Sequence, residues 1–170
     1  MLRKRLIFMD AKLTKLETND LEFLSVAFVT DSDSKLYLEI EQPHAEVDGW
    51  AKKNILPKLE GHPVSKEEAK EKILNFVEEN YNNYEKPTLI ADKKSFNWLG
   101  LCHLFGICDI PFHEVPLDFA TMLFMNSIDP DIPREALAWK FKVKVDGQKH
   151  HALYHAQLLK RLYEKIVLGW

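Results

Sequence analysis

Leu6-Ile7-Phe8-Met9 is a run of four apolar residues with no polar face. Such a run suits a central β-strand buried on both sides, so the sheet containing it must be covered by two further layers. Residues 21–29 form a longer run of the same kind, and residues 35–41 alternate, with Leu36, Leu38 and Ile40 set against Tyr37 and Glu39. Between them, Thr30-Asp31-Ser32-Asp33-Ser34 is a polar turn. The two runs therefore read as a hairpin, and with the first strand they give a three-stranded start.

Helical spacing then takes over. Val47, Trp50, Ala51 and Ile55 predict a short helix closed by Pro57. Ser65 followed by Glu68 is a capping-box pair opening a helix whose stripe is Ala69, Ile73, Phe76 and Val77. Thr88-Leu89-Ile90-Ala91, after Pro87, is a fourth strand, and residues 96–105 are a helix ended by Gly106. Residues 117–125 predict another helix, followed by a loop punctuated by Pro130 and Pro133. Residues 139–145 alternate up to Asp146-Gly147 and predict an extended arm or edge strand, while Ala152, Ala156, Leu159, Tyr163 and Ile166 place one stripe on a long last helix. Strands first, then helices around one more strand, predict an α/β layered domain with a mixed sheet.

At 170 residues, 46% of them apolar and 29% charged, the chain is expected to be one globular domain over residues 1–170. A net charge of −3 excludes a protein that coats nucleic acid by bulk charge, though not one that binds through a local patch. Cys102 and Cys108 are too few for a disulfide scaffold or a four-cysteine zinc site. The basic start, Met1 to Arg5, precedes an apolar run too short for a secretory signal, and no segment approaches a membrane span. A cytoplasmic protein with no membrane partner is expected.

Three segments carry the candidate chemistry: Ile7-Phe8-Met9-Asp10-Ala11-Lys12-Leu13, Ala91-Asp92-Lys93-Lys94-Ser95-Phe96-Asn97-Trp98 and His150-His151-Ala152-Leu153-Tyr154-His155-Ala156. In this order they resemble the three motifs of the DEDDh 3′–5′ exonucleases. Those motifs are Asp-x-Glu after an apolar strand, an aromatic before Asp at the start of a helix, and His-x-Ala-x-x-Asp-Ala. Residues 21–27 resemble the second strand of that family, and Asn54-Ile55-Leu56-Pro57-Lys58-Leu59 resembles a segment of its small stand-alone exoribonuclease branch. The resemblance runs over nearly the whole chain. It implies an RNase H-like three-layer domain with a mixed central sheet flanked by helices. It also implies phosphodiester hydrolysis by two divalent metals, Mg or Mn, held by four carboxylates, with a His as general base. Carried over by position, the first Asp is kept as Asp10 and the His as His150. Lys12, Asn97 and His155 stand at the other three carboxylate positions.

Those replacements change the chemistry. Magnesium takes oxygen ligands in near-octahedral geometry, and a two-metal hydrolysis uses the pair to activate water and stabilise the leaving oxygen. Asp10 and Lys12 are two apart, so on one strand their side chains leave the same face. The Lys12 ammonium would then pair with Asp10 and repel a divalent ion. Asn97 retains an oxygen but no charge. A different metal set is also open: His151 and His155, at i and i+4, could join Asp10 and His150 in a softer zinc or manganese site. Adjacent histidines at a helix start also occur simply as solvated or hydrogen-bonded side chains. Cys102 and His103 read as residues of a packed helix.

Charge is segregated. Residues 140–165 hold seven Lys or Arg against two carboxylates, and residues 109–135 hold six carboxylates against Arg134 alone. Lys140, Lys142 and Lys144 lie just before the third motif, where a nucleic-acid backbone would approach an exonuclease cleft. Alternatively they protect an exposed edge strand. Trp50, Trp98 and Trp139 could stack on bases, though Trp98 falls where a core aromatic is expected.

The sequence thus points to a degenerate exonuclease-type domain with no resident cofactor. It would bind RNA, single-stranded DNA or a protein partner through the inherited cleft. Two alternatives stand beside it. One is an active 3′–5′ exoribonuclease with an altered metal site using Mg or Mn. The other is a scaffold that binds no nucleic acid, with the acidic 109–135 stretch and the basic C-terminal region suited to a homodimer or a charged partner.

Overall fold

In the computed structural model, which describes residues 5–16, 21–42, 45–81 and 86–169, β1 (Leu6–Leu13) lies inside the sheet with a neighbour on each side. β2 (Phe23–Thr30) pairs with it antiparallel, and β3 (Lys35–Ile40) pairs antiparallel with β2. α1 (Gly49–Asn54) and a 3-10 turn (Leu56–Lys58) lead to the short β4 (Pro63–Val64), which pairs parallel with β3. α2 (Lys66–Asn80) precedes β5 (Thr88–Ala91), which pairs parallel with β1 on its other side. α3 (Lys94–Phe105), β6 (Leu117–Asp118), α4 (Phe119–Met125), α5 (Arg134–Lys140) and α6 (Ala152–Ile166) complete the chain. The strand order is β4-β3-β2-β1-β5-β6, a mixed sheet.

The pleat of β1 divides the interior in two. Ile7 and Met9 enter one core with Phe28, Ile73, Phe76, Leu101 and Phe112, the side covered by α2 and α3. Phe8 enters the other with Ala27, Val29, Ile90, Phe119, Leu137 and the α6 stripe Ala152, Ala156, Leu159 and Tyr163. Alternation therefore fixes which face every later β1 side chain occupies. All eight residues of β2 are buried, as a strand covered on both sides requires.

Several sequence expectations are corrected. The helix expected over 117–125 begins at Phe119, because Leu117 and Asp118 first pair with Ile90 and Ala91 as β6. Asp118 is then the N-cap, accepting from the Thr121 N–H at 3.0 Å. Ser65 caps α2 by accepting from the Glu68 N–H at 3.1 Å, but the Glu68 carboxylate pairs forward with Lys72 at 2.8 Å.

Of the two alternatives expected over 139–145, an extended arm or an edge strand, the edge strand does not form and the arm is shorter. Trp139 and Lys140 end α5, which Pro133 precedes, and Lys142 turns the chain at φ 57°. Residues 143–146 then run as an unpaired strap. The alternation reflects packing instead: Phe141, Val143 and Val145 lie against the second core while Lys142 and Lys144 face water. The edges of the sheet are β4 and β6, so these lysines do not protect an edge. Met1–Lys4 of the basic start lie outside the described residues.

Gly100 leaves α3 room for the Phe23 ring of β2. A Cβ there would meet Phe23 Cε1 at 2.3 Å, and that ring is buried. Gly100→Ala is expected to destabilise the fold by about 1–3 kcal/mol through overpacking, read as a lower urea midpoint at unchanged m-value.

Candidate functional site

Beyond Phe8, the face of β1 that looks toward α6 carries Asp10 and Lys12. Lys12 Nζ lies 2.6 Å from Asp10 Oδ2, with 13% and 17% of the two side chains exposed. Burial raises the Asp10 carboxyl above its ordinary value, and the Lys12 ammonium works against that rise. A register shift between Lys12 and Leu13 ends the regular ladder at this point. Irregularities of this kind often re-aim side chains beside sites.

The register extends the row across the sheet. Asp10 pairs with Ala27, which pairs with Tyr37; Lys12 pairs with Ser25, which pairs with Glu39. Tyr37 donates to Glu39 Oε1 at 2.8 Å. The Glu39 carboxylate also accepts from the backbone N–H groups of Glu60, Gly61 at 2.9 Å and His62 at 3.0 Å. Burial disfavours its charge, but the Tyr37 hydroxyl and these N–H groups prevail and hold the carboxyl below the usual range. Glu39 thus ties the 60–62 loop to the sheet beside the site.

The start of α6 closes the other side. The His151 ring lies on Tyr37 at 4.3 Å, and its Nε2 is 3.4 Å from Glu60 Oε1. His150 sits at φ 71°, a left-handed conformation that turns its N–H onto His155 Nε2 at 3.1 Å. His155 Nε2 is therefore an acceptor, and the ring is neutral with its proton on Nδ1. Burial first and the Lys12 ammonium second push this imidazole down to about 3. Burial, Lys149, Lys12 and Lys58 also lower the His150 imidazole. Trp50, 57% exposed, meets the His150 ring edge-on at 5.4 Å.

Asn97, near the start of α3, is buried, and its Nδ2 donates to the Asp92 carbonyl at 2.9 Å. Sequence reasoning passed over the carboxylate of Asp92. Arg134 grips it with two bonds, Nε to Oδ2 at 2.8 Å and a terminal nitrogen to Oδ1 at 2.7 Å. The same guanidinium donates to the Ile132 and Pro130 carbonyls. The signal was legible: Arg134 is the lone cation in the acidic 109–135 stretch. Tyr37 and Glu39 gave no such signal, because only the sheet register brings them to the site.

The structure thus gathers Asp10, Lys12, His150, His151 and His155 at one end of the sheet, with Asn97 at the adjoining β5–α3 junction. Lys140, Lys142 and Lys144 lie on the end of α5 and the strap, with the Lys140 ammonium 5.6 Å over the Phe141 ring. Among the described residues, no three His, Cys, Asp or Glu side chains are grouped to hold a metal ion. His151 and His155 have their Nε2 atoms turned to Glu60 and to the His150 N–H respectively.

A mixed sheet with a carboxylate on its central strand, a motif at the β5–α3 junction and a histidine pair opening the last helix has the architecture of the RNase H-like exonucleases. The fold match is broad. A 3′-exonuclease in the structure of 3′-end specific recognition of a histone mRNA stem-loop superposes with a TM-score of 0.72 at 10% identity, covering 98% of this chain and 64% of that one. S. pombe Pop2p in its Mg2+- and Mn2+-bound form gives 0.65 at 11% identity, over 96% and 83%. Cell-death related nuclease 4 gives 0.69 at 12% identity, over 98% and 64%. No curated protein matches the sequence. The chain belongs to the 3′-5′ exoribonuclease Rv2179c-like domain family, whose model matches residues 45–167. That match begins after β3 and does not include Asp10 or Lys12. Among the described residues, no helix is long and apolar enough to cross a membrane.

The unfolded His155 imidazole takes a proton near 6.5, and the folded one resists until about 3. Its contribution to stability is therefore complete above pH 6.5 and is lost as pH falls toward the folded value. His155→Asn, whose oxygen can still accept from the His150 N–H, is expected to lose less stability than the wild type between neutral and acid pH. Urea midpoints at the two pH values check this.

Proposed function

We propose that this domain holds single-stranded nucleic acid, RNA in the first place, in the exonuclease cleft without hydrolysing it. One observation carries the reading: the Lys12 ammonium rests 2.6 Å from Asp10, where the family resemblance puts a second metal-binding carboxylate. The surrounding donors agree with it. Asn97 has its amide turned to the Asp92 carbonyl, and His155 offers a ring nitrogen already used by the His150 N–H. Asp10 is the one carboxylate left of the four. This donor set does not fit two divalent ions, which need several anionic oxygens between them. No magnesium-dependent step is assigned to it.

The same features suit binding. The exposed Trp50 beside His150 can take a base. Lys140, Lys142 and Lys144 offer phosphate contacts outside the cleft. With a 5′-labelled single-stranded oligoribonucleotide in millimolar magnesium, salt-sensitive retention without shortening is expected. Shortening that a chelator abolishes would overturn the reading. Replacing Lys140, Lys142 and Lys144 together by Ala should weaken retention and lower the salt slope by roughly two to three units.

The position-by-position correspondence can be tested by restoration. Lys12→Glu, Asn97→Asp and His155→Asp together should rebuild the four-carboxylate set around Asp10. The triple variant is expected to bind divalent ions and to gain slow magnesium-dependent 3′–5′ trimming. Each single reversion should stay inactive, because ligands acting as a unit are non-additive. A folded triple variant that binds no divalent ion would show the correspondence to be wrong.

A further inference from the structure

Away from the candidate site, a polar cavity of about 220 Å3 opens between the β2–β3 hairpin, the strap after α5 and the outer part of α6. Asp33 and Lys35 line it from the hairpin, Lys144, Val145 and Asp146 from the strap, and Gln157, Lys160 and Arg161 from α6. Four cationic side chains from three elements far apart in sequence converge there.

Packing fixes each wall. The strap lies on the second core through Phe141, Val143 and Val145, which turns Lys144 outward. Gly147, at φ 137°, lets the strap pass against α6, where a Cβ would meet Tyr154 at 3.1 Å. Lys160 is 2% exposed and donates to the Asp31 carbonyl and to Asp33 Oδ1, both at 2.8 Å. Arg161 donates to Asp33 and Glu164, each at 2.9 Å. Asp33 and Glu164 therefore neutralise Lys160 and Arg161 and lock the floor of the cavity. Lys35 is bonded to a neutral acceptor, Gln157 Oε1, at 2.6 Å, and no carboxylate among the described residues pairs with it. Lys35 and Lys144 face Asp146 alone as the remaining lining carboxylate, so the walls hold a net positive charge.

We propose that this cavity binds a phosphate group, with Lys35 and Lys144 as its mobile ligands and Arg161 as a fixed donor on the floor. Arg161 spends two donors on carboxylates out of the five a guanidinium carries, and Lys and Arg together make the strong charge-assisted bonds that phosphate favours. The site stands on its own geometry and does not depend on the cleft retaining nucleic acid. Its phosphate could come from a nucleic-acid backbone or from free phosphate.

The test is a titration of the full chain with inorganic phosphate, followed by amide NMR. Saturable shifts confined to residues 33–35, 144–146 and 157–161 are expected. The Lys35→Ala/Lys144→Ala variant, altered only at exposed positions, should bind at least tenfold more weakly. Asp146→Asn should bind several-fold more tightly, an opposite effect that general loss of structure cannot produce. Competition by a short oligoribonucleotide would assign the phosphate to a nucleic-acid backbone, and its absence would assign it to free phosphate. Scattered, non-saturating shifts, or equal affinity in wild type and double variant, would overturn the site whether or not the cleft retains RNA.

Discussion

The two-sided burial of β1 is the constraint from which the rest of the structure follows. Its odd residues Ile7 and Met9 enter the core under α2 and α3, and Phe8 enters the core under α6. A strand filled on both faces has its register fixed, since a one-residue slip would exchange the two sets. Asp10 and Lys12 therefore have no freedom in where they point: they continue the Phe8 face to the end of the strand, where the start of α6 arrives. The site exists at that end because the apolar filling stops there and polar side chains take over.

What occupies the site is a set of groups mostly paired with one another, although Asp10 Oδ2, beside the Lys12 ammonium, and Ser25 Oγ are buried without a hydrogen bond. Lys12 is on Asp10, Asn97 on the Asp92 carbonyl, Arg134 on the Asp92 carboxylate and His155 on the His150 N–H. Half-buried polar groups need such partners, because an unpaired one loses its hydration without compensation. The Lys12 ammonium beside Asp10, the Asn97 amide turned to the Asp92 carbonyl and the His155 nitrogen used by the His150 N–H are why the non-hydrolysing reading is preferred to an altered metal centre made from Asp10, His150, His151 and His155. The Tyr37–Glu39 bond and the N–H groups of the 60–62 loop extend the same principle outward and hold the rim in place.

The basic region divides into two parts. Lys140, Lys142 and Lys144 are all exposed, yet Lys144 shares a cavity with Lys35 and Arg161, while Lys140 lies over Phe141. Lys160, one of the seven cations of residues 140–165, is buried and ties α6 to the hairpin turn through Asp31 and Asp33. Charge segregation along a sequence thus overstates the charge a ligand can reach, because part of it is spent inside the fold.

By itself the sequence determined the four longer strands, most of the helices, the mixed sheet and the face shared by Asp10 and Lys12, but not the two-residue edge strands β4 and β6. These are set by apolar periodicity over a few residues, and periodicity is a local property. It also placed the three segments from which the exonuclease resemblance was drawn, since they are contiguous. It left the strap open between an extended arm and an edge strand because period-two burial arises wherever an extended segment packs on a core, with or without a ladder beside it. Only the tertiary structure decided that Arg134 holds Asp92, that Glu39 anchors the 60–62 loop, and that Lys35 meets Lys144 at a common cavity. Each joins residues more than twenty positions apart, and their partnership depends on strand register and helix placement, which are fixed when the two cores close.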